Sequence, residues 1–397
     1  MRVVWASAHL PDPSRGGGWG HEYELLRHAA QRHDVLLLAG ELGAGETPPA
    51  VIADLGVEVR GVAVPARPLP ANKAAHLAHL LRHRIPLGAW MVEPLTERLA
   101  AAVADAEQRG GVELVHVMPQ EAAPVVAAAR APTALFLGDS YWVQASRELA
   151  AATSLKDRLR LSLERRNAGA WEKHWYPQAD AVASVSPADA RSLGDLCGIP
   201  VGVVPIPLGD EWFAAPTVAR ADDLVVIVGA LDYWPNVDSV IWFAREIWPL
   251  VAQAQPRARL RVVGRRPTAD VRAAVAAAGG ELLADVPDVR PHYWEATVVP
   301  APIRLGSGVK NKVLHAAACL APQVGTAFAF DGTDARPGDD VVMAEDAAGL
   351  AAAVVRCLTD PDAAAQRARS AFRIAEAHRA ERIVGALDEL WARALSR

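Results

Sequence analysis

Short unbroken apolar runs alternate along this chain with longer stretches in which apolar residues recur every three or four positions. Residues 1–8 (MRVVWASA), 34–39 (DVLLLA), 57–64, 113–117 and 133–137 are runs of the first kind, and each predicts a strand. Residues 21–32, with Leu25, Leu26 and Ala29 on one face, predict an amphipathic helix, and helices are also expected at 93–109 and 121–129. Residues 146–180 read as a long charged helical region that ends in a strand and cap at 181–186. At 204–220 (VPIPLGDEWFAAPTVAR) the periodicity stops and Pro and Gly take over, which predicts an interdomain linker. The alternation then restarts with strands at 224–228, 259–263 and 297–299 and near Val341. Helices are expected at 237–254, 269–278 and 310–320 and from there to the end. Strands alternating with helices predict parallel sheets covered on both faces, here as two doubly wound α/β domains of comparable size.

Length agrees with that division, since 397 residues suffice for two or three domains with full cores. A net charge of −5 excludes a nucleic-acid binder that works through an overall basic field. The three cysteines, Cys197, Cys319 and Cys357, are too scattered for a disulfide framework or a metal cluster and point to a reducing cytoplasm. The first apolar run is short and leads into a Pro/Gly loop, so it reads as a strand and not as a signal peptide.

Charge changes the picture through its placement. Lysine is scarce: Lys73, Lys156, Lys173, Lys310 and Lys312 are the whole set, and two of them fall in Gly308-Val309-Lys310-Asn311-Lys312 at a predicted helix start. With Arg304, Gly306 and Ser307 just upstream, this loop has the chemistry of a diphosphate site, the alternative being a solvated basic helix cap. A second glycine-rich loop, Arg15-Gly16-Gly17-Gly18-Trp19-Gly20, follows the first strand. It is either a ligand loop or a surface loop, and it is neither a dinucleotide fingerprint nor a P-loop. His76, His79 and His83 recur at helical spacing within 71–84, next to Lys73, Arg82 and Arg84. That helix allows a metal site, a solvated basic face or a weak membrane-surface contact.

From 224 to 346 the chain resembles the donor domain of the family-4 retaining glycosyltransferases. The resemblance rests on Val228-Gly229-Ala230-Leu231-Asp232-Tyr233-Trp234-Pro235-Asn236, Ile247-Trp248-Pro249, Val263-Gly264-Arg265-Arg266-Pro267 and Val286-Pro287-Asp288-Val289. It continues through Pro302-Ile303-Arg304, Gly306-Ser307-Gly308 and Lys310-Asn311-Lys312-Val313-Leu314. The branch is marked by the Tyr-x-Pro-Asn and Gly-x-Gly-x-Lys-x-Lys signatures. It implies the GT-B fold, two Rossmann-like doubly wound domains facing across a cleft. The expected division is an acceptor domain at 1–205, a linker at 206–220, a donor domain at 221–378 and a helix at 379–397 returning to the first domain.

The resemblance also implies roles. Arg304 and Lys310 or Lys312 hold the donor diphosphate, with Gly306, Ser307, Gly308 and Asn311 around it. Gly16, Gly17 and Gly18 approach from the first domain, His116 faces the transferred sugar, and Asp139 stands on the acceptor side or caps a helix. Arg265 and Val286 flank the nucleotide base. His315 stands where the family has a ribose-binding glutamate, Ser307 falls near the upstream glutamate of its pair, and basic residues are missing from 230–236. The implied activity is metal-independent, retaining transfer from a nucleotide-diphosphate sugar to a small-molecule or glycan acceptor, with no cofactor and no nucleic acid. A monomer or homodimer in the cytoplasm is expected. Two alternatives stand beside it: a non-catalytic nucleotide-sugar-binding partner protein, and a GT-B enzyme that performs another reaction on a nucleotide sugar.

Overall fold

A computed structural model describes residues 1–13, 17–152, 154–306 and 308–397. The chain divides into two compact units, one of residues 1–207 with 383–397 and the other of 208–382.

The first unit is built on seven parallel strands: β1 (Arg2–Ser7), β2 (Asp34–Ala39), β3 (Glu58–Gly61), β4 (Leu114–Met118), β5 (Thr133–Leu137), β6 (Ala181–Ser184) and β7 (Val201–Val203). Their order is β3-β2-β1-β4-β5-β6-β7, so the sequence of neighbours reverses between β1 and β4. Val3 of β1 lies opposite Val35 on one side and Leu114 on the other, and Val3, Val4, Trp5 and Ala6 have no exposure. An unbroken apolar run is what a central parallel strand needs, because helices cover both of its faces. The terminal helix, Ala380–Leu395, supplies Trp391 to this core, and Asp388 on it takes Arg32 at 2.8 Å.

The second unit contains β8 (Leu224–Val228), β9 (Arg259–Gly264), β10 (Glu281–Ala284), β11 (Val299–Ala301), β12 (Gln323–Gly325) and β13 (Val342–Met343). They form the ladders β10-β9-β8 and β11-β12-β13, which the parallel bridge Val225↔Val298 joins. The resulting order, β10-β9-β8-β11-β12-β13, reverses between β8 and β11, the arrangement of a Rossmann-type sheet. Val225 and Ile227 pack into the core on one face of β8, and Leu224, Val226 and Val228 into that on the other.

Several elements differ from expectation for identifiable reasons. The helix expected from 93 begins at Leu87 and carries Pro94 within it, Leu87–Arg109. Proline cannot donate to the carbonyl four residues back, and Arg67 donates to that carbonyl, Trp90 O, at 3.4 Å. The helix expected at 121–129 is instead a run of tight 3₁₀ turns, Gln120–Ala128, around Pro124. The region 146–180 is two helices, Tyr141–Ala151 and Leu155–Trp175, each started by a serine cap. The segment expected as a linker is largely part of the second unit. Leu208 exchanges backbone hydrogen bonds with His378 and Ala380, Trp212 stacks on His315, and Arg220 donates to Leu320 O at 2.7 Å. Among the described residues no helix is long and apolar enough to cross a membrane.

Candidate functional site

Ligands of open parallel sheets bind beyond the carboxyl ends of the strands where the order reverses. In the second unit that place is bounded by the loop after β8, which enters the helix Trp234–Trp242, and the loop after β11, which enters the helix Asn311–Ala318. Gly229 ends β8. A Cβ there would lie 2.9 Å from Lys312 Nζ and 3.1 Å from the Asn236 amide, so its missing side chain is the space the ammonium occupies. Gly264, the end of β9, is equally constrained, since its Cβ would fall 1.7 Å from Gly229 O.

Lys312 Nζ donates to Asn236 Oδ1 at 2.7 Å, and Asn236 Nδ2 donates to Ala230 O at 2.9 Å. One amide thus fixes both the ammonium and the loop beneath it. Burial pushes Lys312 down to about 8. The hydrogen-bond partner is neutral, so the charge is held in place without being cancelled. A cation so placed, on the first turn of a helix, suits an anionic ligand.

The other expected cations are employed differently. Arg304 makes a bidentate pair with Asp238, 2.8–3.1 Å, and lies over the Trp242 ring with its guanidinium carbon 4.2 Å from the centroid. Lys310 is buried, donates to Gly308 O at 2.7 Å and sits 4.0 Å above Phe328. Both brace the loop, leaving Lys312 at the strand end. Gly306 has φ +111°, a conformation that side chains resist, and a Cβ there would meet Pro235 and Tyr233; Gly308 has φ +63°. Ser307 lies outside the described residues.

On the helix Asn311–Ala318, residues 313, 314 and 316–318 are buried, while Asn311, Lys312 and His315 share the half-exposed face. Asn311 Oδ1 is buried with no hydrogen-bond partner among the described residues. His315 stacks on Trp212 with centroids 3.5 Å apart and planes 6° from parallel, and burial pushes it down to about 3, so it is a neutral imidazole with one face covered. Arg265 and Val286 follow β9 and β10 at the same end of the sheet. Arg265 O accepts from Leu231 N at 2.9 Å, and Arg266 pairs with Asp232 at 2.7 Å.

In the first unit the expectations fare less evenly. Gly17 (φ +59°) and Gly18 open the helix Gly17–Ala30 with nothing within 4 Å of a would-be Cβ, while Gly16 lies outside the described residues. His116 does not face an open surface. It has no exposure, packs 4.1 Å from Trp5 between ring centroids, and accepts from Trp391 Nε1 at 3.1 Å through Nδ1. Burial pushes its pKa down to about 3, so the structure corrects the expectation to a neutral core histidine. Asp139 is half-buried and its N–H donates to Gln120 Oε1 at 3.1 Å; the helix cap is its neighbour Ser140, which accepts from Val143 N.

The sequence reading missed the buried acids of this unit. Glu22 accepts from Trp5 Nε1 at 2.9 Å and is pushed up to about 8 by burial. Glu172 accepts from Ser140 Oγ, Trp142 N and Tyr176 Oη and is pushed up to about 7, again by burial first. Glu22 was findable, because it lies on the helix face of Leu25, Leu26 and Ala29. The three histidines of 71–84 do not converge: His79 stacks on His83 and lies tilted against Trp90, and His76 faces Glu164 at 3.5 Å. No group of three or more metal-binding side chains exists among the described residues.

Comparison with known proteins adds to this geometry. The family described as "Glycosyl transferases group 1" matches residues 222–360. No curated protein matches the chain. Among solved structures, the sucrose-phosphate synthase of Thermosynechococcus elongatus is similar with a TM-score of 0.72 at 16% identity, over 100% of this chain and 99% of that one. HepE of Anabaena, in complex with UDP and glucose, is similar with a TM-score of 0.66 at 14% identity, over 99% of both chains. The α,α-trehalose 6-phosphate synthase of Burkholderia multivorans gives 0.64 at 14% identity, over 100% of this chain and 98% of that one. The chain thus has the GT-B fold in two Rossmann-like units, and the second unit carries the match to the group 1 glycosyltransferase family.

Proposed function

We propose that this chain transfers a sugar from a nucleotide-diphosphate sugar to an acceptor hydroxyl, with retention of anomeric configuration and without a metal ion. The observation that carries the reading is Lys312: an ammonium held by a neutral amide over a strand-end glycine, where the strand order reverses. As the bond from the anomeric carbon to the diphosphate breaks, negative charge grows on the leaving oxygen. Lys312 and the first turn of its helix are placed to stabilise it without reorganising. The acceptor oxygen bonds to the anomeric carbon on the face the diphosphate leaves, and its proton passes to the departing phosphate. Arg304 and Lys310 hold the loop that carries this turn. The UDP and sugar in the HepE structure support a uridine donor as the first to try.

The experiment is nucleoside diphosphate release from candidate nucleotide sugars with and without acceptor, followed by the anomeric configuration of the product by NMR. Acceptor-dependent release with a retained anomer is expected; an inverted product would overturn the mechanism. Diphosphate affinity should fall as pH rises through about 8, where Lys312 gives up its proton. A pH-independent affinity would remove Lys312 from the site. A second reading, a nucleotide-sugar-binding protein without transfer, is favoured by His315, whose ring face is taken by Trp212. Thermal stabilisation by uridine diphosphate with no turnover of any donor would establish it.

A further inference from the structure

In the first unit the helices Lys73–His83 and Leu155–Trp175 lie side by side: His76 faces Glu164 at 3.5 Å, and Asn167 Nδ2 donates to Leu80 O at 2.8 Å. Their outer faces combine two features that soluble surfaces keep apart. Large aliphatic side chains stand in solvent, Leu155 at 84% exposure, Leu81 at 58% and Leu159 at 56%, with Leu69 at 66% just before the first helix. Among them the exposed charges are Arg82, Arg84, Lys156, Arg158, Arg165 and Arg166, all positive. The two acids of 154–166 are withdrawn and engaged, Asp157 near Arg160 at 3.9 Å and Glu164 with His76 and Leu87 N. Glu148 on the neighbouring helix is half-buried and accepts from Gln144. Residues 68–92 contain no acid at all.

We propose that this paired-helix face docks on an anionic lipid bilayer. An anionic glycan would satisfy the arginines but leave the leucines in water. A hydrophobic protein groove would cover the leucines but strand six cations. A bilayer of anionic headgroups over hydrocarbon meets both at once, with leucines entering the acyl boundary and arginines at the phosphates. The surface belongs to the first unit and does not depend on the donor chemistry of the second.

The test is co-sedimentation of the full chain with vesicles of phosphatidylcholine alone or mixed with phosphatidylglycerol. Binding to the mixed vesicles and not to phosphatidylcholine is expected, weakening as salt rises. Leu155→Ser with Leu159→Ser should lower the partition by about tenfold or more, and Arg158→Ala with Arg166→Ala by a similar factor. Melting temperatures of both variants should match the unmodified chain, because the replaced side chains are exposed. No binding to either vesicle overturns the proposal. So does a leucine variant that binds vesicles as well as the parent, and so does capture by soluble dextran sulfate with none by vesicles.

Discussion

The two units share a strand order and put opposite things at the strand where it reverses. Under β1 the first unit buries Trp5, closes it with His116 and Trp391, and sets the Glu22 carboxyl on the Trp5 indole. In β8 the second unit keeps the strand aliphatic and follows it with Gly229, with a lysine in the space beside that glycine. The first unit seals polar groups into the core within its central strands; the second presents a cation on a half-exposed helix face beyond them. Topology therefore marks where a ligand can bind, and in the second unit the glycine just past the strand leaves the space there to a cation.

The comparison breaks most visibly at Trp391. Trp391→Ala removes the indole that closes the His116 side and leaves Nδ1 of a buried ring unpaired, so unfolding by denaturant should become easier by about 3–5 kcal/mol. Unchanged stability would mean that the helix Ala380–Leu395 does not complete this core. Lys312→Ala should lower turnover about 10²–10³-fold while leaving the fold intact, measured as nucleoside diphosphate release beside a melting curve. Asn236→Asp should retain the lysine but neutralise it, weakening diphosphate binding and carrying its pH limit above about 8.

Another effect separates the units by pH. Glu22 keeps its proton in the folded unit up to about pH 8, whereas the unfolded chain releases it in the ordinary carboxylate range. Its contribution is full in acid and is lost as pH rises from about 5 to about 8. Glu22→Gln should flatten that decline, by about 4 kcal/mol across the range at about 1.4 kcal/mol per pH unit, in calorimetry, and an unaltered profile would place the titration elsewhere. Last, Gly229→Ala pushes a methyl against Lys312 Nζ and Asn236, and should weaken diphosphate binding about tenfold, or about 1.4 kcal/mol. If affinity is untouched, the ammonium has room that the geometry denies.

The sequence showed the sheet through its longer apolar strands, β1, β2, β5 and β8, which bury both faces and so carry no competing signal. It hid β7, β10 and β12, which are short, and in β10 polar at one end. The lysine pair stood out against an arginine-rich background, but which lysine stands at the strand end depended on Asn236, 76 residues earlier. Arg304 looked like a free anion binder because its partner Asp238 is 66 residues away. His116 looked like a strand-end ligand because the indole that covers it comes 275 residues later. Local pattern fixes an element and its buried face; pairing across the fold fixes what a polar side chain is free to do.

The late arrival of Trp391 has a consequence for biosynthesis. Most of the first unit leaves the ribosome early, yet one of its largest buried side chains is added only after the whole of residues 208–382 has been made. For on the order of ten seconds or more, at ordinary rates of synthesis, the nascent first unit must wait without the Trp391 cover over Trp5 and His116 while the second unit is being made. The unit begun first is therefore the one whose core is finished last.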